Sequence, residues 1–88
     1  MKIEKPAQAG TLESNDIYVQ ILPNPKEEIE IRLKSVVMLQ FGKQIRQVAM
    51  QTLNEKGITS CILNLEDKGA LDYTIKARIE SAVERSLC

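Results

Sequence analysis

The sequence has no histidine, no tryptophan and few other aromatic residues. Without histidine, the chain cannot assemble a Ser-His-Asp triad or a Cys-His pair by itself. It has no glycine-rich phosphate-binding loop, and its two cysteines, Cys61 and Cys88, do not match the spacing of a zinc site. The sequence therefore predicts neither catalytic residues nor metal ligands.

An excess of one charge and a long apolar run are also absent. Twelve basic and twelve acidic side chains give a formal net charge of zero. This balance argues against a nucleic-acid binder, whose affinity comes mainly from phosphate neutralisation, and against a basic membrane-surface protein. No apolar run approaches the ~20 residues of a membrane-spanning helix, and the first residues lack the hydrophobic core of a signal peptide. We therefore expect a cytoplasmic protein with no nucleic-acid or membrane partner.

Two cysteines are too few for the disulfide framework of a small secreted domain. Cys61 lies in an apolar alternation, and Cys88 is the last residue. We interpret both as incidental to the chemistry, with a redox or interchain role at Cys88 as the alternative.

Length and hydrophobic periodicity predict a single domain spanning residues 1–88, in which the first six residues are expected to be loose. Alternating apolar residues predict strands over residues 7–12, 17–22, 29–34 and 60–66. Apolar residues at helical spacing predict two helices. Ser35 would cap the first, which ends before Gly57, and the second would run from Leu71 to about Ser86.

The predicted order β-β-β-α-β-α indicates an α+β fold, a two-layer sandwich in which two helices pack on one face of a mixed sheet. The first two strands would form a hairpin, and the third strand, first helix and fourth strand would form a right-handed βαβ unit. The third strand alternates between apolar and charged residues, which predicts one sheet face exposed to water. On the first helix, Phe41 is expected to anchor the core.

Acidic residues occur in pairs, Glu27 with Glu28 and Glu66 with Asp67, but nothing in the sequence places either pair in a pocket. We interpret them as solvated surface charge. Glu66, Asp67 and Asp72 could together bind a hard cation, yet they lack the pattern of a calcium loop. A strand-to-helix turn with a carboxylate at the helix start explains them better.

The remaining candidate is the polar turn Glu13–Asp16, between the first two strands. Asn15 suits the left-handed conformation of a tight turn, and Asp16 can bond back to the local backbone. Ser14 would project from this hairpin with an exposed hydroxyl that a modifying enzyme can reach. A serine in a surface turn is ordinarily only a turn residue, so this pattern is compatible with covalent attachment but does not demonstrate it.

Several segments, in the same order along the chain, resemble the citrate lyase acyl carrier proteins, the gamma subunits of that complex. They are Ala9–Asp16, Gln40–Gly42 with Ile45–Arg46, and Asp67–Asp72 followed by Ala77–Glu80. In that family the serine of the Leu-Glu-Ser segment carries the prosthetic group, and by position this serine is Ser14 here. Relatives often have glycine after the serine, where this chain has Asn15, a residue that also tolerates a positive φ angle.

The resemblance implies a non-catalytic carrier in citrate fermentation. A holo-carrier synthase would attach a phosphopantetheine-type group, 2'-(5''-phosphoribosyl)-3'-dephospho-coenzyme A, to Ser14 through a phosphodiester, which makes the chain a phosphoprotein. The terminal thiol would hold an acetyl thioester. The alpha subunit would exchange acetyl for citryl, and the beta subunit would release oxaloacetate and restore the acetyl form. We expect Glu13 and Asp16 to stay solvated and, through charge repulsion, to keep the attached group largely free in solution.

Two alternatives stay open. The chain could be a non-covalent α+β interaction or assembly module that uses its open sheet face or hairpin edge. It could also be the carrier subunit of a related malonate decarboxylase system, in which a malonyl thioester is decarboxylated.

Overall fold

The computed structural model describes all 88 residues. Its elements are β1 (Ala7–Gly10), β2 (Ile17–Leu22), β3 (Ile29–Ser35), α1 (Met38–Glu55), β4 (Cys61–Asp67) and α2 (Asp72–Leu87). The four strands form one sheet in the order β1-β2-β4-β3. β1 pairs antiparallel with β2, β2 pairs antiparallel with β4, and β3 pairs parallel with β4. The predicted α+β fold, its first hairpin and the parallel pairing of its βαβ unit are confirmed.

One face of the sheet and both helices form the hydrophobic core. The inward side chains of β2 and β4 alternate with half-buried ones, as expected for strands with a single covered face. From α2, an apolar stripe at helical spacing is fully buried, and its members are Ile75, Ile79, Ala82 and Val83. Neither helix combines the length and the apolar character that crossing a membrane requires.

Most element boundaries lie within one residue of the sequence prediction, and two differ by two residues. β1 ends at Gly10, two residues early, because Gly10 has a φ angle of 86° and any Cβ there would collide with the Ile17 carbonyl oxygen. The chain can therefore leave the strand only at a glycine. α1 begins at Met38, with Val37 in the N-cap position and no side-chain cap, so the prediction that Ser35 caps this helix is wrong. The Ser35 hydroxyl instead accepts a bond from the Val37 N–H at 3.0 Å.

The segment before β1 is held against the start of β4, unlike the loose start that its sequence predicts. The Met1 ammonium group donates to the Gly57 carbonyl at 2.8 Å. The Ile3 N–H donates to the Ser60 carbonyl at 2.9 Å, and the Ile3 side chain belongs to the hydrophobic core. Burial of this isoleucine supplies the apolar contact that a free tail would lack.

The prediction that Phe41 anchors the core is wrong. Its side chain is 49% exposed, whereas Ile45 and Leu53, farther along the same stripe of α1, are buried. The physical reason is position: Phe41 lies in the first turns of α1 and faces the start of α2 across an open groove. Helical periodicity identifies the apolar face of a helix, and the neighbouring elements decide how much of that face is covered.

Candidate functional site

Three chain connections meet at one end of the sheet. The first residue of β2, Ile17, and the last residue of β3, Ser35, both pair with Asp67 at the end of β4. The hairpin loop Thr11–Asp16 therefore lies beside residues 36–37, which lead into α1, and residues 68–71, which lead into α2. We call this region the Ser14 end.

The tip of the hairpin loop has the geometry that its sequence predicts. Asn15 has a φ angle of 66°, the only positive value outside glycine, and the Asp16 N–H closes the turn by donating to the Glu13 carbonyl at 3.1 Å. Asn15 is one of the few residue types that adopt this backbone conformation at modest cost. Glu13, Ser14 and Asn15 are all exposed, so the Ser14 hydroxyl is accessible to another molecule.

The base of the loop is buried and charged, and the prediction that Asp16 stays solvated is wrong. Asp16 is only 9% exposed. The Arg78 guanidinium of α2 donates Nε to Asp16 Oδ1 and Nη2 to Oδ2, each at 3.0 Å. The Thr11 hydroxyl donates to Oδ2 at 2.7 Å, and the Ile17 N–H donates to Oδ1 at 2.7 Å. Two donors from a planar guanidinium make this the strongest type of side-chain pairing.

These bonds shift the titration of Asp16. Hydrogen bonding from Arg78, with smaller contributions from Thr11 and the Ile17 N–H, lowers the pKa of Asp16 from its usual 3.8 to about 2, against the opposing effect of burial. The charged carboxylate is the form that the folded protein favours. The loop is therefore anchored at its base by an ion pair and leaves Ser14 exposed at its tip.

Backbone bonds join the same loop to the connection that follows β4. The Asn15 N–H donates to the Lys68 carbonyl, and the Lys68 N–H donates to the Asp16 carbonyl, both at 2.9 Å. The side-chain oxygen of Asn15 lies 3.7 Å from the point that a Cβ on Gly69 would occupy. The residue next to Ser14 thus sits directly on the segment that leads into α2.

Asp67 holds the other two connections together and is fully buried, which corrects its interpretation as solvated charge. Its Oδ2 accepts bonds from the Ser35 hydroxyl at 2.8 Å and the Gly69 N–H at 3.1 Å. Its Oδ1 accepts from the Ala70 N–H at 2.9 Å. A buried carboxylate with several donors fixes the local backbone, since each donor would otherwise lack a partner.

The other acidic residues singled out from the sequence are dispersed. Glu27 and Glu28 are exposed. Glu66 pairs with Lys68 at 3.6 Å, and Asp72 accepts two bonds from the Gln44 amide, at 3.0 and 2.9 Å. No group of three or more carboxylate or thiol side chains is positioned to hold a metal ion. Glu66, Asp67 and Asp72 are thus not brought together as a cation site.

The two cysteines lie outside the Ser14 end and are both free thiols. Cys61 is buried in the core, and burial raises the pKa of its thiol to about 11. The thiolate is the nucleophile in cysteine chemistry, so Cys61 is unreactive where it stands. Cys88 is exposed at the end of α2.

An open groove of about 450 Å³ separates the start of α1 from the start of α2. We call it the apolar groove because six of its nine lining residues are hydrophobic. The bond between Gln44 and Asp72 joins its two walls. The periodicity of α1 gives no sign of this groove, because it predicts that Phe41 lies in the core. The lining residues are Val37, Phe41, Gln44, Ile45, Gly69, Ala70, Leu71, Asp72 and Tyr73.

Comparison with known protein families gives a match over almost the entire chain. Residues 4–86 match the family model described as ACP, malonate decarboxylase delta subunit (MdcD). The chain is 50% identical over 86 residues to the citrate lyase acyl carrier protein of Clostridium perfringens, covering 98% of this chain and 85% of that protein. The corresponding protein of Treponema denticola is 46% identical, over 98% of this chain and 97% of its own length.

Among solved structures, the chain is similar to one in the crystal structure of a Pseudomonas malonate decarboxylase hetero-tetramer in complex with malonate. The TM-score is 0.83 at 17% sequence identity, over 96% of this chain and 86% of that one. This similarity supports the α+β fold, and the closer sequence relatives establish the family. The chain belongs to the citrate lyase acyl carrier protein family.

Proposed function

We propose that this chain is the non-catalytic acyl carrier subunit of a citrate lyase and that Ser14 is its covalent attachment site. One observation carries the assignment of the site: Ser14 is the only one of the five serines that is exposed. Ser60 and Ser86 are buried, and Ser35 and Ser81 are half-buried. A transferase must reach the hydroxyl oxygen, and Ser14 is the serine most open to it.

Thr11 is the nearest competing hydroxyl, and its bonds argue against it. The Thr11 hydroxyl donates to Asp16 at 2.7 Å and accepts from the Glu13 N–H at 3.2 Å. Modification of Thr11 would remove the hydrogen that it donates to Asp16 and disturb the anchored base of the loop. Ser14 lies one residue beyond these contacts, so its modification leaves the base intact.

The group proposed for Ser14 is 2'-(5''-phosphoribosyl)-3'-dephospho-coenzyme A, joined through a phosphodiester. When bound, it would supply the thiol that carries acyl groups between active sites on the alpha and beta subunits, while a holo-carrier synthase would attach it. The chain itself contributes a fixed anchor, because Arg78 and Asp16 hold the base of the loop. Tethering raises the effective concentration of the thiol at each active site to the millimolar range, roughly, for a short flexible link. The setting would be cytoplasmic citrate fermentation.

A second candidate is the carrier subunit of a malonate decarboxylase. Two observations support this candidate: the matching family model is described as a malonate decarboxylase delta subunit, and the similar solved structure is of a malonate decarboxylase. The higher identity to citrate lyase carriers makes citrate lyase the first choice. A non-covalent interaction module would need no exposed serine at the tip of an anchored loop.

Reconstitution tests the proposal. The chain would be coexpressed with the prosthetic-group transferase of a citrate lyase system, purified, acetylated on the thiol of the attached group with acetic anhydride, and mixed with the alpha and beta subunits. Formation of oxaloacetate from citrate is the readout. We expect activity with the loaded chain and none with the unmodified chain or with Ser14→Ala, since both lack the thiol.

The same loaded chain would be offered to the partner subunits of a malonate decarboxylase. Decarboxylation of malonate in place of citrate cleavage would select the second candidate. Ser81→Ala serves as the control, because it removes a half-buried serine hydroxyl on α2 and should leave oxaloacetate formation unchanged. Full activity of Ser14→Ala would rule out Ser14 as the attachment site.

A further inference from the structure

The apolar groove exposes large side chains that no other part of the chain covers. Phe41 is 49% exposed, Leu71 59% and Tyr73 71%, and all three line the groove. Each is large and apolar, so leaving it in water forgoes burial energy. Two of the three are aromatic, although the chain has only three aromatic residues in all. Such clustering of aromatic rings in a concave surface marks a binding site rather than ordinary surface.

The groove begins where the Ser14 loop ends. Asn15 is bonded to Lys68 through its backbone at 2.9 Å, and its side chain lies against Gly69. Gly69 is itself a lining residue of the groove. A group attached to Ser14 therefore starts beside the groove and needs no change in the fold to reach it.

We propose, resting on the function proposed above, that the apolar groove holds the adenosine part of the group attached to Ser14. In this group the phosphodiester is followed by a ribose and then by the adenosine, whereas the thiol lies at the far end. The part nearest the chain is thus the part with a flat aromatic ring. Adenine stacks on aromatic side chains without needing specific hydrogen-bond partners, and Phe41 and Tyr73 supply such side chains.

Local charge permits this placement. Asp16, which was expected to repel the group, is neutralised by Arg78. Asp72 is hydrogen-bonded to the Gln44 amide, which carries no charge. Lys68, which bonds to the loop through its backbone, is half-buried, and its ammonium group pairs with Glu66 at 3.6 Å. Glu13 is the one exposed carboxylate left in the loop.

Docking of the adenosine would not immobilise the thiol. The tether gives the adenosine an effective concentration of roughly millimolar order, so an intrinsic dissociation constant near that value keeps it in the groove about half of the time. The pantetheine chain beyond it stays in solution and can enter partner active sites. Docking in the groove then shortens the free part of the arm.

NMR spectroscopy of the unmodified and loaded chains tests the proposal, with intact mass measured on the same samples. We expect loading to shift the amide signals of Gly69, Leu71 and Tyr73 as well as those of residues 12–17. We also expect nuclear Overhauser contacts between the adenine H2 or H8 proton and the rings of Phe41 and Tyr73. Adenosine 5'-monophosphate added to the unmodified chain at millimolar concentration should shift the same groove signals.

Tyr73→Ser and Leu39→Ser form a matched pair of variants. Tyr73 lines the groove, whereas Leu39, on α1, is 102% exposed and outside it. Because both side chains are largely in water, both variants should fold. Tyr73→Ser should abolish the adenine contacts and reduce the groove shifts several-fold, while Leu39→Ser should leave both unchanged.

Other outcomes separate the ways in which the proposal can fail. If the loaded chain has the correct mass and only the signals of residues 12–17 shift, the adenosine does not bind in the groove. The proposal about the groove is then wrong, and the proposed function is unaffected. Groove shifts that appear only after partner subunits are added would assign the groove to a partner protein and overturn the proposal. No mass increase after coexpression with the transferase would refute the proposed function, and the groove inference with it.

Discussion

Both helices present an apolar stripe at helical spacing, but the fold covers the two stripes differently. In α2, Ile75 and Ile79 are completely buried against the sheet. In α1 the stripe is buried at Ile45 and beyond, while Phe41 and the residues before it stay open. The uncovered part lies at the Ser14 end, where α1 faces the first turn of α2 across a groove instead of a strand. The difference indicates that apolar packing contributes less to stability at the Ser14 end than in the rest of the molecule.

The largest expected effect comes from truncating a covered residue of the α2 stripe and comparing it with an uncovered residue of the α1 stripe. Ile79→Ala removes buried methylene groups and leaves a cavity, so it should lower the free energy of unfolding by about 2–5 kcal/mol. Phe41→Ala should cost less than about 1.5 kcal/mol, because half of that side chain is already in water. Urea unfolding of both variants measures the contrast. If both variants lost the same free energy of unfolding, Phe41 would have to be covered in solution, and the contrast between the two helices would be wrong.

At the Ser14 end itself, stability should depend on buried polar groups rather than on apolar packing. Asp67→Ala would leave the Ser35 hydroxyl and the Gly69 and Ala70 N–H groups without their acceptor. The cost should be about 3 kcal/mol, at the upper end of the usual penalty for unpaired buried groups. Glu66→Ala, one residue earlier and half-buried in a 3.6 Å pair with Lys68, should cost under about 1 kcal/mol. If Asp67→Ala lowered the free energy of unfolding no more than Glu66→Ala, Asp67 would not have this anchoring role.

The Asp16–Arg78 pair should make stability depend on pH in the acid range. Because the folded-state pKa of Asp16 is about 2, below its usual 3.8, the pair contributes fully above about pH 4. Its contribution is lost as the pH falls from about 4 to about 2. Arg78→Ala should therefore cost about 1–2 kcal/mol at neutral pH, after allowance for the partial exposure of Arg78, and should flatten the acid dependence.

Unfolding free energies of the wild-type and Arg78→Ala chains between pH 2 and 7 test this. Lys76→Ala, on the same helix in an exposed pair with Glu55, is the control and should keep the wild-type profile. If Arg78→Ala retains the wild-type dependence on pH, the base of the loop is not anchored by this ion pair.

The smallest effect on stability is expected at Ser14, the residue proposed to carry the attached group. Ser14→Ala should change the free energy of unfolding by no more than about 0.5 kcal/mol, since Ser14 is exposed in a surface turn. Ser86→Ala is the contrasting variant, because the buried Ser86 hydroxyl donates to the Lys5 carbonyl at 2.7 Å, and it should cost about 1 kcal/mol. A larger loss for Ser14→Ala than for Ser86→Ala would show that the tip of the loop is structural.

The sequence was sufficient to predict local structure and insufficient to predict contacts between distant segments. Alternation predicted the strands, and the polar turn predicted the positive φ angle of Asn15. The pairing of Asp16 with Arg78 joins residues 62 positions apart, and no local pattern encodes it. The open position of Phe41 likewise depends on where α2 begins, which the periodicity of α1 cannot indicate.

One missed feature did have a signal in the sequence. In β4, Cys61, Leu63 and Leu65 point inward, and the same period of two places Asp67 inward as well. The general tendency of carboxylates to be exposed outweighed this pattern in the sequence analysis. A charged residue that continues the buried phase of a strand is therefore a signal of a buried polar anchor.

Locating the attached group is the most direct test of the account. The chain would be coexpressed with the prosthetic-group transferase, digested, and its peptides fragmented in a mass spectrometer. The account predicts the mass of one group on the peptide that contains Ser14, localised to that residue, and no addition in the Ser14→Ala chain. Finding the group on Ser35, Ser60, Ser81 or Ser86, or on Thr11, would contradict it.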